Sequence, residues 1–116
     1  MDTISRAELL DLRHQPRPAL LLVEALPADQ YEAEHLPGAV NLPSDLDAVT
    51  AAQLAPSKDA MVVTYCSGEL CRRWNAAAGF ARLGYTNVRV YTGCNTDWAG
   101  AGLSFEGTRA PASVGA

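Results

Sequence analysis

Positive charge is scarce in this chain. Nine Lys and Arg stand against 13 Asp and Glu in 116 residues, a formal net charge of -4. The largest basic cluster is the pair Arg72-Arg73, too small to neutralise a run of phosphates, so neither nucleic acid nor an anionic membrane surface is an expected partner. Long apolar runs are missing as well, and none reaches the roughly 18 residues of a membrane span. The start, Met1-Asp2-Thr3-Ile4-Ser5-Arg6, lacks the basic flank and apolar core of a secretion signal. Cysteine occurs three times, an odd number without a Cys-x-x-Cys pair, which fits neither a disulfide scaffold nor a structural zinc site. The expectation is one domain with one core, in a reducing cytoplasmic setting, with no metal and no cofactor.

What is present is an alternation of helix and strand signals. Ser5-Arg6-Ala7-Glu8 has capping-box spacing and opens a helix to about His14, ended by Pro16 and Pro18. Leu20 to Val23 is an apolar run of strand length, as in a strand covered on both faces. Pro27 to Glu34 reads as a short helix, Pro37-Gly38 as a turn, Ala39 to Leu42 as a strand, and Ser44 to about Leu54 as a second amphipathic helix. Met61 to Tyr65 is another apolar strand. Arg73 to Leu83 is the strongest helix, with Trp74, Ala77, Ala78 and Ala81 as its apolar pattern and Gly84 in the position where a left-handed backbone ends a helix. Val88 to Tyr91 is the last strand, and Thr96 caps a final short helix through Ala101. This order indicates an α/β domain with a parallel sheet, in which ligands bind beyond the carboxyl ends of the strands.

Cys66 stands at such an end. It follows the Met61–Tyr65 strand and precedes Ser67, Gly68, Glu69, Leu70, Cys71 and Arg72, after which the Arg73 helix begins. A cysteine facing a helix N-terminus meets unpaired N–H groups and the positive end of the dipole. That setting favours thiolate, with a pKa of roughly 3.5 to 7.5 against about 8.5 for a free thiol. Arg72 and Arg73 push the same way, and Glu69 opposes them. The competing reading is a buried structural cysteine closing a strand.

The segments His35-Leu36-Pro37-Gly38-Ala39-Val40-Asn41-Leu42-Pro43, Val62-Val63-Thr64-Tyr65-Cys66 through Leu83-Gly84-Tyr85-Thr86-Asn87-Val88, and Tyr91-Thr92-Gly93 with Asp97-Trp98 and Ala101-Gly102-Leu103 together resemble the single-domain rhodaneses. They span nearly the whole chain in that family's order. The resemblance implies an α/β rhodanese-like domain over residues 1–107, with a five-stranded parallel sheet flanked by helices on both faces; the small, polar composition of 108–116 separately reads as a flexible tail. It implies sulfur transfer: Cys66 takes sulfane sulfur from thiosulfate or a related anion, becomes a persulfide, and passes it to cyanide or a thiol, which a sulfur-accepting protein could carry. The amides of residues 67 to 72 would cradle the sulfur. The chemistry needs a thiolate and an anion-tolerant loop, and little acid or base because sulfite leaves unprotonated.

Three departures stand out. Glu24, Ala25 and Leu26 occupy the place of a common Asp-x-Arg, whose arginine usually makes a structural salt bridge. Cys94 replaces a glycine, at a cost of about 1 kcal/mol if that position needs positive φ. From Cys66 to Arg72 there are seven residues, where small rhodaneses more often use six. Seven is the length in related cell-cycle phosphatases and arsenate reductases, so tetrahedral oxyanion chemistry at Arg72 is the alternative enzyme reading. Against it, Tyr65 stands where those enzymes usually have histidine, and only Glu69 offers a general acid. A non-catalytic binding module is the third reading.

Among the remaining candidates, Cys71 either resolves an oxidised Cys66 as a disulfide or packs as a small apolar side chain. Cys94 is expected at the loop rim without a chemical role. Arg73 is either an anion attractor or a solvated helix residue. His35 is expected to make a structural hydrogen bond, His14 to lie on the surface, and Trp98 to pack in the core.

Overall fold

The structure is a computed structural model that describes residues 2–15, 19–25, 28–42, 46–65 and 73–108, with the backbone alone of 73–75 and 94. Its elements run β1 (Asp2–Ile4), α1 (Arg6–Arg13), β2 (Leu20–Glu24), α2 (Ala28–Ala33), β3 (Val40–Asn41), α3 (Ala48–Leu54), β4 (Met61–Tyr65), α4 (Arg73–Arg82), β5 (Asn87–Tyr91) and α5 (Cys94–Gly100). Among the described residues the four pairings between these strands are parallel, in the order β1-β5-β4-β2-β3. The central strand, β4, is buried at all five positions, which is why its residues read as a continuous apolar run rather than an alternation.

Period-two geometry sends neighbouring side chains to opposite faces. Val23, Val62, Val88 and Val90 meet Ala51 of α3 and Ala77 and Phe80 of α4. Leu22, Met61, Val63, Tyr65 and Tyr91 meet Leu9 of α1, Trp98 of α5 and Leu36. The sheet is thus covered on both sides, as the sequence implied.

Helix ends follow local chemistry. Ser5 caps α1 with both halves of a capping box: its side chain accepts from the Glu8 N–H at 3.1 Å while its own N–H donates to Glu8 Oε1 at 3.1 Å. α4 closes with Gly84 at φ 95°, its N–H on the Ala81 carbonyl and the Tyr85 N–H on the Phe80 carbonyl. The Tyr85 ring then stands edge-on to Phe80 at 5.3 Å, completing the hydrophobic contact of that terminator.

Several boundaries differ from the sequence reading. β1 was not foreseen: it has three residues, only Ile4 is buried, and its existence rests on the distant partner Arg89–Tyr91. α3 starts at Ala48, because the Asp47 side chain captures the Thr50 N–H at 2.7 Å, and Ser44 lies outside the described residues. α5 starts at Cys94 after Gly93 rather than at Thr96. Cys94 therefore has helical backbone, and no left-handed strain arises there. In α4 the buried stripe is Ala76, Ala77 and Phe80, while Ala81 is exposed.

Candidate active site

The carboxyl ends of β4, β2 and β5 converge on one edge of the sheet, where α4 also begins. Cys66 is the next residue in the sequence after β4. Cys66, Ser67, Gly68, Glu69, Leu70, Cys71 and Arg72 lie outside the described residues, as does Leu26. Arg73 is the first residue of α4. The structure therefore fixes the two ends between which the seven residues run: the end of the central strand and the first turn of a ten-residue helix.

The strand end is held by two hydrogen bonds. The Tyr65 carbonyl accepts from the Ala25 N–H at 3.0 Å, extending the β2–β4 ladder past Glu24. The Tyr65 hydroxyl accepts from the Leu36 N–H at 2.9 Å, and both residues are fully buried. On the same face the Glu24 side chain, also fully buried, neighbours Tyr65 in register. Burial pushes the Glu24 carboxyl above the ordinary carboxylate range, with Tyr65 and His35 pulling it back and Glu34 adding to the rise. Burial, and then the nearby Glu24, push the Tyr65 phenol far upward, so it stays protonated. The two groups influence each other, yet neither Glu24 oxygen makes a hydrogen bond of ordinary geometry.

Next to this edge, the Tyr91 hydroxyl donates to Asp97 Oδ2 and Arg6 Nη1 donates to Asp97 Oδ1 at 2.8 Å. Asp97 thus ties β5 to α1 as the chain turns through Thr92-Gly93 into α5. Gly93 is required sterically, since a Cβ there would sit 2.5 Å from the Asp97 Cβ.

His35 has the structural role expected of it. Its Nδ1 lies 2.7 Å from the Tyr31 carbonyl, which can only accept, so Nδ1 carries the proton. Its ring stacks on Tyr31 at 4.0 Å, and Nε2 lies 3.6 Å from Glu106 Oε1. His14 is exposed at the C-cap of α1. Trp98 is buried, with Nε1 donating to the Ser104 carbonyl at 2.9 Å. The Thr108 N–H donates to the Glu32 carbonyl at 2.8 Å, and residues 109–116 lie outside the described residues. Among the described residues no His, Cys, Asp and Glu gather as a metal site, and no helix is long and apolar enough to cross a membrane.

Sequence reasoning singled out Glu24 only as a departure from a pattern. The available signal was a carboxylate directly after Leu20–Val23, a run whose continuity already implied burial on both faces.

A profile described as Rhodanese-like domain matches residues 5–101. Over 102 residues the chain is 35% identical to the HTH-type transcriptional regulator Rv0324 of Mycobacterium tuberculosis. That alignment covers 88% of this chain and 43% of the regulator, so the chain spans less than half the length of the curated relative it matches. The solved BH2092 protein from Bacillus halodurans is 28% identical with a TM-score of 0.81, over 94% of this chain and 79% of that one. The human single-domain sulfurtransferase TSTD1 is 26% identical with a TM-score of 0.68, over 86% of this chain and 96% of that one.

Proposed function

This chain belongs to the rhodanese-like domain family, and on that premise we propose that it moves sulfane sulfur from thiosulfate or a related anion to a thiophilic acceptor through a persulfide on Cys66. The observation that carries the reading is the anchored end of β4: the central strand stops at a residue held by Ala25 and Leu36, Cys66 follows at once, and α4 starts seven residues later. The likeness to the human single-domain sulfurtransferase supports the same reaction.

The Cys66 thiolate attacks the outer sulfur of thiosulfate. The sulfur–sulfur bond of the donor breaks, sulfite departs with the electron pair, and Cys66 is left as a persulfide anion. Cyanide, or the thiolate of a small molecule or protein, then attacks the terminal sulfur and releases Cys66 as thiolate. No proton is needed by the first leaving group, so backbone N–H donors from residues 67 to 72, the α4 terminus and Arg72 supply what the charge requires, with Arg73 adding positive potential.

The identity to a transcriptional regulator favours a second reading, in which the domain binds or is loaded once without turnover, as a module of a larger protein. A thiosulfate-to-cyanide assay separates the two. Sulfur transfer requires multiple turnovers in the wild type and their abolition in Cys66→Ser, whereas the module reading gives no turnover with any common donor.

A further inference from the structure

β2 is paired along its whole length on one side and along only part of it on the other. The Ala19 carbonyl accepts from the Met61 N–H at 2.8 Å and the Ala25 N–H donates to the Tyr65 carbonyl at 3.0 Å, so odd-numbered residues turn their backbone groups towards β4. Even-numbered residues turn theirs the other way, where the Glu24 carbonyl meets the Leu42 N–H at 2.9 Å. β3 pairs with β2 only at Val23 and Glu24. The N–H of Leu22 and both backbone groups of Leu20 therefore face a line on which β3 supplies no partner, because the chain enters β3 only after the Pro37-Gly38 turn.

A cavity of about 330 Å³ is lined by the same two leucines, by Leu12 and Arg13 at the end of α1, and by Pro37 and Gly38 of the turn. We propose that it is a docking groove for an extended peptide segment of a partner protein, which adds a strand beside Leu20 and Leu22, lays an apolar side chain against them and sets a carboxylate against Arg13. The inference stands apart from the reading of Cys66, since Leu20 pairs with Met61, at the end of β4 opposite Tyr65.

Each part of that occupant answers to a feature of the groove. Open N–H and C=O groups on a sheet edge are met by another extended backbone, whose alternate side chains then enter the adjoining groove. Leu20 is only half-buried, which leaves apolar surface for such a side chain to cover. Arg13 asks for negative charge: its guanidinium lies 5.4 Å over the Trp98 ring, and among the described residues it forms no ion pair. The two carboxylates bonded to groove residues are already engaged, Asp11 accepting from Gln15 Nε2 at 3.0 Å and Glu106 from the Gly38 N–H at 2.9 Å. The turn is also fixed in advance, with the Ala39 N–H on the Leu36 carbonyl at 3.0 Å and the Tyr31 hydroxyl on the Ala39 carbonyl at 2.5 Å. A preformed groove lowers the ordering cost of capturing a short segment.

The test titrates the isotope-labelled full chain with the blocked peptide acetyl-Thr-Val-Leu-Val-Asp-amide and follows backbone amides by NMR. The expected result is saturable binding in which the Leu20 and Leu22 amide protons move furthest downfield, while the Leu21 amide, which faces β4, moves least. Of two peptides N-methylated on alternate residues, one should lose binding and the other keep it, because only alternate residues of an added strand face β2. Arg13→Gln should bind the peptide about two- to fivefold more weakly, and should bind a version ending in Asn as the wild type does. No saturable shift up to about 1 mM peptide overturns the proposal. So does a Leu21 shift as large as its neighbours', equal binding of both methylated peptides, or an Arg13→Gln affinity equal to wild type. Acetate alone reproducing the shifts would reduce the groove to a small-carboxylate site, and Leu20 and Leu22 shifts that vary on diluting the protein alone would make a second copy the occupant; either result overturns the assignment of a partner peptide.

Discussion

The Leu36 backbone N–H donates to the Tyr65 hydroxyl at 2.9 Å, joining positions 29 residues apart. One bond thereby links the turn around Pro37-Gly38 to the strand end that precedes Cys66. Tyr65→Phe keeps the ring and strands a buried N–H, so it should destabilise the fold by about 1 to 3 kcal/mol. Chemical denaturation measures this, and a change below about 0.5 kcal/mol would show that the bond carries no weight.

Glu24 gives stability a pH dependence of known sign. Its folded value is raised, so the stability it contributes is complete below the unfolded value of about 4.3 and is lost as pH rises through the folded value. Wild type should therefore lose stability relative to Glu24→Gln across that window. Denaturation curves at a series of pH values that keep a constant difference would contradict this.

Two glycines should fail for different reasons. At Gly84 a methyl group meets open space, and Gly84→Ala suffers only from the left-handed backbone, about 1 kcal/mol. At Gly93 the backbone is right-handed, and the added Cβ collides with Asp97, so Gly93→Ala should cost about 1 to 3 kcal/mol. Thermal unfolding of both variants tests the distinction, and a neutral Gly93→Ala would refute the steric account.

Arg72 separates the enzyme classes. In an oxyanion enzyme it would bind phosphate or arsenate in a bidentate manner that lysine cannot reproduce. In a sulfurtransferase the backbone amides hold the sulfur and the side chain supplies potential. Arg72→Lys should keep most sulfur transfer, Arg72→Ala should lose a moderate part, and the wild type should lack useful aryl-phosphatase or arsenate-reductase turnover. Robust phosphate-ester hydrolysis lost in both Cys66→Ser and Arg72→Lys would reverse the assignment.

Legibility in the sequence followed how local each signal was. The Ser5–Glu8 box, the Met61–Tyr65 run and Gly84 act within a few residues, and the structure has all three where the pattern put them. β1 escaped because Asp2–Ile4 becomes a strand only by pairing with Arg89–Tyr91. The start of α3 escaped because Ser44 and Asp47 are both good caps, and only the structure shows Asp47 on the Thr50 N–H. The Cys66–Arg72 segment was legible as a candidate from its place between strand and helix. The anchoring of Tyr65 was not, since Ala25 and Leu36 reach it only through the fold.

The most direct measurement is the intact mass of the protein after thiosulfate treatment, before and after cyanide. The account predicts one added sulfur on the wild type, removed by cyanide with release of thiocyanate, and none on Cys66→Ser. An unmodified wild type, or an added sulfur that persists in Cys66→Ser, would contradict it.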